Sequence, residues 1–274
     1  MYDLHTHSQI SDGTQSVQEL VAEIASSGLT GFALTDHDTT AGWDEASSLA
    51  AQHSLDFLPG MEISCASGGL SVHVLSYLHN PKNAALLTEV ERARQSRVGR
   101  AQRMVELLAL DFPITWQDVQ AQVHPGATVG RPHIADALVA SKVVANRSEA
   151  FESILTPTSP YYVNHYAIDP VEAVRLVKAA GGVPIMAHPM ARSRGKVASE
   201  ELIYSMLEAG LAGLEIYHRD NPEEDRRWLL EVAAEHDLLV TGSSDYHGAG
   251  KPNRLGENTT SAQTVQAIRE LAAA

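Results

Sequence analysis

Histidines and carboxylates recur in or just after the segments that the sequence predicts to be β-strands. The chain has 13 histidines in 274 residues, and histidine is the commonest metal ligand in proteins and a frequent acid or base. The candidate ligands are His5, His7, Asp12, His37, Glu62, His73, His188, Asp245 and His247. Imidazole and carboxylate without thiolate suit zinc, manganese or iron rather than a soft metal.

The spacing of these residues predicts that they converge. Residues i and i+2 of a strand point to the same side, so His5 lies beside His7, and Asp245 beside His247. Six histidines and three carboxylates exceed the needs of one ion, and Glu62 can bridge two. Sites with ions about 3.5–4 Å apart are typical of phosphoester hydrolysis, where they lower the pKa of a water from about 15.7 towards 7 and clamp phosphoryl oxygens.

A single His-x-His is more often incidental than a metal site. Here, however, six strands carry polar groups of this kind, and burying them without a common partner would be costly. The coincidence therefore favours one shared site for two or three divalent transition-metal ions, with manganese, iron or zinc as candidates.

The elements that must position these residues alternate between strand-like and helix-like segments. The alternation covers residues 1–80 and resumes over 168–274. Repeated β–α units predict parallel strands with helices outside. Seven candidate strands favour an α/β barrel, whose functional groups gather at the carboxyl ends of the strands. Residues 81–167 are predicted to be mainly helical, and we interpret them as an insertion that caps the substrate.

The composition argues against several classes of protein. Net charge is −14 and aromatic residues make up 5%, whereas proteins that bind long nucleic acids usually show a basic face. The single cysteine, Cys65, excludes an internal disulfide and suits a reducing cytoplasm. We identify no targeting leader, and no apolar run approaches the roughly 20 residues of a membrane helix. We therefore expect a cytoplasmic protein that does not bind long nucleic acid. A small phosphorylated substrate remains compatible with the acidic chain, because bound metals can reverse the local charge.

At this level of detail the chain resembles the polymerase-and-histidinol-phosphatase (PHP) family. It is similar in particular to the small PHP phosphoesterases that remove the 3′-phosphate from nucleoside 3′,5′-bisphosphates. The motifs that carry the resemblance span nearly the whole chain in the family's order. They are His5-Thr6-His7, Ser11-Asp12-Gly13, Thr35-Asp36-His37-Asp38, Gly60-Met61-Glu62-Ile63-Ser64, Val72-His73-Val74-Leu75, Ala187-His188-Pro189, Gly213-Leu214-Glu215-Ile216 and Gly242-Ser243-Ser244-Asp245-Tyr246-His247.

The resemblance implies a distorted (β/α)7 barrel with a helical insertion and three ion positions. The implied ligand sets are His5, His7, Glu62 and Asp245 for one ion, Glu62, His73 and His188 for a second, and Asp12, His37 and His247 for a third. Asp12 stands where much of the wider family carries histidine, although the bisphosphate-phosphatase branch also has aspartate there.

The insertion holds a second set of candidates, in Gly130-Arg131-Pro132-His133 and Tyr162-Val163-Asn164-His165. Both segments resemble the same branch of the family. Arg131 can clamp a phosphate with two hydrogen bonds, His133 is a further substrate-binding candidate, and His165 can protonate the leaving oxygen. The alternative for each is a helix-cap or surface residue.

Several other basic residues are expected to lie on the surface. Arg97, Arg100 and Arg103 share one side of the long predicted helix, and we interpret that side as a solvated face rather than a phosphate site. His53, His79, His124 and His236 are likewise expected to be surface residues.

The favoured function is hydrolysis of a nucleoside 3′,5′-bisphosphate to the 5′-monophosphate and phosphate. Histidinol-phosphate phosphatase and a 5′-3′ exonuclease on short oligonucleotides are the alternatives within the family. An amidohydrolase is disfavoured, because many use a bridging lysine and no lysine here closes a predicted strand. A non-enzymatic metal-binding domain is also disfavoured, because it would need an incomplete ligand set and the set of candidate ligands here is complete.

Overall fold

Seven strands form one sheet in which neighbours along the chain are also neighbours in space. The computed structural model describes residues 1–124, 127, 129–192 and 196–273. The strands in that part are β1 (Tyr2–Thr6), β2 (Gly31–Leu34), β3 (Asp56–Ser67), β4 (Leu70–Tyr77), β5 (Val183–Met186), β6 (Gly213–Tyr217) and β7 (Leu239–Gly242). A parallel bridge between Thr6 and Tyr246 brings the first and last strands together. The predicted seven-stranded α/β barrel is confirmed.

The prediction that the strands run parallel is wrong at β4. This strand is antiparallel to both β3 and β5, whereas the other neighbouring pairs are parallel. Ser67 pairs with Leu70 across Gly68 and Gly69, whose φ angles are 57° and 80°. A two-residue turn with positive φ at both positions makes a tight hairpin and favours glycine. The Gly-Gly pair therefore reverses the chain between β3 and β4.

Among the described residues, six helices surround the barrel and four lie in the inserted segment, residues 81–167. The first group is α1 (Val17–Ser26), α2 (Trp43–Gln52), α7 (Pro170–Ala179), α8 (Glu200–Glu208), α9 (Glu223–Glu235) and α10 (Ala262–Ala273). The second group is α3 (Ala84–Leu108), α4 (Trp116–Gln120), α5 (Arg131–Ala140) and α6 (Arg147–Ser153). Helix α1 illustrates the sequence logic: Ser16 and Glu19 form a capping box, and Leu20 and Ile24 lie on its buried face.

Helix α3 takes part in two hydrophobic cores. Leu86 and Val90, near its beginning, pack with the barrel strands and α7. Met104 and Leu108, near its end, belong to a separate core that includes Ile134 of α5. The helix therefore leads from the barrel into the inserted helices. None of the described helices is long and apolar enough to cross a membrane.

Candidate metal centre

The structure brings eight of the nine candidate ligands into three overlapping groups. In each group, donor atoms from all members lie within 4.8 Å of one another. One group contains His5, His7, Glu62 and Asp245; another contains His7, Asp12, His37 and His247; the third contains His37, Glu62 and His73. The ninth candidate, His188, has its Nε2 atom 3.4 Å from Glu62 Oε1. Side chains from distant parts of the sequence therefore meet at one place.

Glu62 lies at the middle of this arrangement and is 1% exposed. Its Oε2 atom is 3.1 Å from His5 Nε2 and 3.0 Å from His7 Nε2, and 3.3 Å from His37 Nδ1. Its Oε1 atom is 2.6 Å from His73 Nδ1. The two oxygens of one carboxylate thus face different sets of imidazoles, which is the arrangement that a bridging ligand requires.

The reversed strand β4 explains how His73 reaches the centre from within a strand. Ser64 pairs with His73 in the antiparallel hairpin. Since β4 runs back towards the opposite end of the barrel, its early residues lie beside the late residues of β3. The side chain of His73 therefore lies at the same end of the barrel as Glu62.

Asp12 is held in a loop that is fixed by the buried carboxylate of Asp36. Asp36 accepts hydrogen bonds from Ser8 N at 2.8 Å, Ser8 Oγ at 2.7 Å and Ser11 Oγ at 2.6 Å. Asp12 Oδ1 then lies 3.2 Å from His247 Nε2, and Asp12 Oδ2 lies 3.9 Å from His37 Nε2. The loop thus supplies the carboxylate of a group otherwise made of histidines.

Several donor atoms in these groups are buried without satisfied hydrogen bonds. Within the described residues, His5 Nε2, His7 Nε2, Glu62 Oε2 and His247 Nε2 contact neighbouring ligand atoms, but none of these contacts has the geometry of a hydrogen bond. Leaving such groups unsatisfied is costly, and each is a nitrogen or oxygen type that binds first-row divalent ions. The residues present therefore fit a cluster of such ions.

The ionisation of these groups reflects strong mutual interaction. Burial lowers the pKa of His5, but Glu215, Glu62 and Asp245 outweigh burial and raise it well above its usual value. Burial likewise opposes protonation of His7, yet carboxylates raise its pKa to about 9. The pKa of Glu62 is well below its usual value because the surrounding histidines outweigh burial. The centre thus holds anionic carboxylates that attract positive charge.

A second group of polar side chains lies in the inserted helices. Arg100 is 9% exposed; its Nε donates to Val163 O at 2.9 Å, and its Nη2 has no hydrogen-bond partner in the described structure. Its guanidinium lies 4.8 Å from the Tyr162 ring centroid, and that of Arg131 lies 5.7 Å from the same ring. Two largely buried cations thus lie near one aromatic ring and form a cluster of positive charge, which we call the arginine pocket.

Arg97 connects the arginine pocket to the metal centre. Its Nη2 donates to Asp38 Oδ2 at 2.5 Å, and Asp38 directly follows His37. The interpretation of Arg97, Arg100 and Arg103 as a solvated face is therefore wrong for the first two. Arg103 is exposed and pairs with Glu106 at 2.6 Å. The helical spacing placed these arginines on one side, but it could not show that the inserted helices cover that side.

His165 lies among these arginines. Burial, together with Arg100, Arg97 and Arg131, lowers the pKa of His165 to about 3. The pKa of Arg100 is lowered to about 10, by burial and by Arg131, so the arginine stays charged at pH 7. The free protein therefore combines a cationic pocket with a neutral imidazole.

Two other histidines have structural contacts. His133 Nδ1 accepts a hydrogen bond from Gly130 N–H at 3.1 Å and so caps α5. His79 was expected at the surface, but it is 3% exposed and its Nδ1 lies 2.7 Å from Ser76 Oγ. That expectation is wrong because the turn after β4 folds the His79 ring against Trp43, with 4.8 Å between centroids. His53, His124 and His236 are exposed as expected.

Comparison with known proteins decides the family. A model of the PHP domain matches residues 3–142. A 3′,5′-nucleoside bisphosphate phosphatase of Chromobacterium violaceum is 32% identical over 259 residues, which are 92% of this chain and 89% of that protein. The chain belongs to the PHP family.

Two further relatives match this chain over nearly its whole length. A 5′-3′ exoribonuclease of Haemophilus influenzae is 30% identical over 272 residues and covers 98% of each chain. A crystal structure from Bifidobacterium adolescentis, described as that of a metal-dependent phosphoesterase, superposes with a TM-score of 0.96 at 46% identity, covering 98% of this chain and 96% of that one. The protein is therefore a metal-dependent phosphoesterase of the PHP family.

Three polar residues beside the centre were not identified as site residues from the sequence. Glu215 is fully buried, 2.9 Å from His5 Nδ1. His218 is fully buried, with Nε2 3.7 Å from Asp245 Oδ2, and Lys251 Nζ lies 2.8 Å from the same oxygen. Glu215 lies on a strand and within a motif of the family, so the sequence contained a signal that could have identified it as a site residue. The other two lie beyond strand ends, where spacing predicts nothing.

Proposed function

We propose that this PHP protein removes the 3′-phosphate from nucleoside 3′,5′-bisphosphates and yields the nucleoside 5′-monophosphate and phosphate. The observation that carries the proposal is that two clusters of polar side chains lie next to each other. One is the cluster of histidines and carboxylates, and the other is the pocket of Arg97, Arg100 and Arg131. A substrate with two phosphates on one nucleoside matches both. The name of the Chromobacterium relative supports this choice of substrate.

The first site would hold two or three divalent ions, with manganese, iron or zinc as candidates. We assign His5, His7, Glu62 and Asp245 to one ion, Glu62, His73 and His188 to a second, and Asp12, His37 and His247 to a third. When bound, such ions supply Lewis acidity towards phosphoryl oxygens and lower the pKa of a water. The protein's own part is to converge these ligands and to hold them in a largely buried setting.

The second site would bind the phosphate that is not cleaved. Arg131 and Arg100 each carry a planar fork of N–H donors that suits phosphate oxygens, and burial strengthens their attraction for the anion. We propose that residues 81–167 form a substrate cap on the barrel of residues 1–80 and 168–274. His133 is a further candidate in this cap, at the beginning of α5.

His165 is the proposed proton donor to the leaving oxygen. In the free protein its pKa is lowered to about 3 by burial and by the three arginines, so the imidazole is neutral at pH 7. A phosphate dianion on these arginines would neutralise the cations that depress this pKa. Binding of the substrate would thus prepare His165 to hold the proton that the leaving oxygen requires.

The charge of the chain supports a small substrate. A net charge of −14 leaves little to attract a long polyanion, and the proposed phosphate donors are confined to one pocket. A single buried cysteine is compatible with a reducing compartment, so we place the protein in the cytoplasm.

A second candidate is a 5′-3′ exonuclease on short oligonucleotides, which the Haemophilus relative favours. Chemically the two substrates are close. A bisphosphate and a 5′-phosphorylated oligonucleotide both present a 5′-phosphate one nucleoside away from the 3′-phosphorus that is attacked. The same arginine pocket can serve both, so substrate length is the property that separates them.

The proposal is tested by phosphate release from matched nucleotides by purified protein with Mn²⁺. We expect a nucleoside 3′,5′-bisphosphate to react much faster than the 3′-monophosphate of the same nucleoside, because only the former occupies the arginine pocket. Chromatography should identify the 5′-monophosphate as the product. Equal rates on the two substrates, or release of the 5′-phosphate, would refute the assignment.

A further inference from the structure

Glu215 contacts two ligand-bearing segments of the barrel with its two carboxylate oxygens. It lies on β6, is fully buried, and belongs to none of the three donor groups found among the described residues. Its Oε1 atom lies 2.9 Å from His5 Nδ1. Its Oε2 atom accepts a hydrogen bond from the backbone N–H of His188 at 2.9 Å. One side chain thus connects the end of β1 with the segment after β5.

The contact with His5 determines which ring nitrogen can face the centre. An ionised carboxylate only accepts hydrogen bonds, so when the His5 ring is neutral, as a metal ligand must be, its one proton lies on Nδ1. The lone pair then lies on Nε2, which is the atom 3.1 Å from Glu62 Oε2. Carboxylates that orient metal-binding histidines in this way also increase the basicity of the ring.

The contact with His188 holds a strained backbone. His188 has a φ of 27°, a conformation that is unfavourable for a residue with a side chain and persists only where the surroundings impose it. Asn221, in the turn after β6, adds support: its Nδ2 donates to Glu215 O at 2.9 Å, and its Oδ1 accepts from Met190 N at 2.9 Å. The segment that presents the His188 ring is therefore fixed to β6 on both sides.

We propose that Glu215 is the positioning residue of the metal centre. It holds His5 in the tautomer with Nδ1 protonated and holds the His188 backbone in place, without contact with the substrate. This inference rests on the ligand assignment within the proposed function.

Glu215→Gln tests the proposal with little change of shape. A glutamine side chain offers one acceptor and one donor group, so it cannot accept from both His5 and His188. We expect the variant to bind Zn²⁺ about 10- to 100-fold more weakly than the wild type, as measured by competition with a chelator. Glu172→Gln, at an exposed carboxylate of α7, should leave the affinity unchanged. A folded Glu215→Gln variant with wild-type affinity would overturn the proposal.

A measurement on the wild type covers the case in which the variant does not fold. In the zinc-loaded protein, ¹H–¹⁵N spectroscopy of the His5 ring should show an exchange-protected proton on Nδ1. A proton on Nε2, or no protected ring proton, would overturn the proposal. Zinc binding with the expected tautomer but no activity on bisphosphates would refute the proposed function and support the role of Glu215. A wild type that binds no metal would refute both.

Discussion

The arginines of the inserted helices show how burial changes what a charged side chain can do. On a solvated helix face, Arg100 and Arg131 would be screened by water and would hold a phosphate weakly. Packed among the inserted helices near Tyr162, the two guanidiniums have fewer contacts with water that would compete with a bound anion. A buried cation with an unsatisfied donor gains most from an anionic ligand, which supports the proposed role of these arginines in binding the uncleaved phosphate.

The first prediction at this scale concerns Arg131. Arg131→Ala should reduce kcat/KM on a nucleoside 3′,5′-bisphosphate by an amount that corresponds to about 2–5 kcal/mol, the range for truncating one partner of a buried charge pair. Activity on a simple aryl phosphate, which lacks the second phosphate, should change little. Arg103→Ala, at the exposed arginine of α3, is the matched control. Equal losses on both substrates would show that Arg131 serves the chemical step or the fold.

The second prediction concerns the protonation of His165. The nearby guanidiniums disfavour the charged imidazole, so removing one of them should raise the pKa of His165 from about 3 towards its usual value. Arg100→Gln should produce this rise in an NMR titration, whereas Arg103→Gln should not. Adding a nucleoside 5′-monophosphate to the wild type should also raise the pKa. A midpoint near 6.5 in the free wild type would contradict the account of the pocket.

At the scale of elements, the sequence predicts which strands carry the candidate ligands, but the predicted direction of β4 is wrong. The structure places His5 beside His7 and Asp245 beside His247, as predicted. However, His7, Asp245 and His247 lie beyond the ends of β1 and β7, and Asp245 has a φ of 54°, so the period of a strand is not the reason. The reversal of β4 depends on Gly68 and Gly69, whose positive φ angles form a tight turn. This turn produces an antiparallel hairpin in a chain that otherwise alternates between strands and helices. The same turn places His73, which lies inside β4, opposite Ser64 near the end of β3.

The contacts between the inserted helices and the barrel could not be predicted from the sequence. Periodicity along α3 identifies a helix, but not which distant segments cover its arginines. Asp38 meets Arg97 across 59 positions, and Glu215 meets His5 across 210. Such pairings depend on the complete packing of the chain, and one sequence carries no direct signal of them.

The third prediction concerns the junction between the inserted helices and the barrel. Arg147 begins α6, forms a two-pronged ion pair with Asp136, and donates from Nη1 to Asp12 O at 3.0 Å. Arg147→Ala should lower the free energy of unfolding by about 1.5–3 kcal/mol, because it removes charged hydrogen bonds and leaves Asp136 unpaired. Denaturant unfolding of the metal-free protein measures this loss.

The control for this junction is Arg175→Ala on α7. Arg175 forms an exposed pair with Glu172 at 3.5 Å, and such pairs contribute about 0–1 kcal/mol. If the two variants lost the same stability, the contacts of Arg147 would not fasten the inserted helices to the barrel.

At the scale of the whole molecule, the acidic chain gathers Arg97, Arg100 and Arg131 into a local cluster of positive charge where the inserted helices meet the barrel. The negative charge of the carboxylates in the centre is offset by the neighbouring histidines. Divalent ions bound there would add positive charge. The positive charge needed for a phosphorylated substrate is thus local. Under the proposed function, a protein of net charge −14 would bind a small polyanion through this local charge and would have no general affinity for nucleic acid.

The fourth prediction concerns metal content. Protein purified without chelator in metal-replete medium should carry at least two transition-metal equivalents by elemental analysis. Because Glu62 faces two sets of imidazoles, Glu62→Gln should lose more than one equivalent, while Glu231→Gln, on the exposed side of α9, should lose none. A wild type with at most one equivalent would rule out a multinuclear centre.

The turnover of 5′-phosphorylated substrates as a function of length tests the central claim most directly. The series begins with the nucleoside 3′,5′-bisphosphate and extends to single strands of about twenty nucleotides, at equal concentration and with Mn²⁺. We predict that turnover is highest for the bisphosphate, falls with length, and for the bisphosphate weakens only mildly between about 50 and 200 mM salt, because a small ligand releases few counterions. Turnover that rises with length would identify an exonuclease and contradict the bisphosphate assignment.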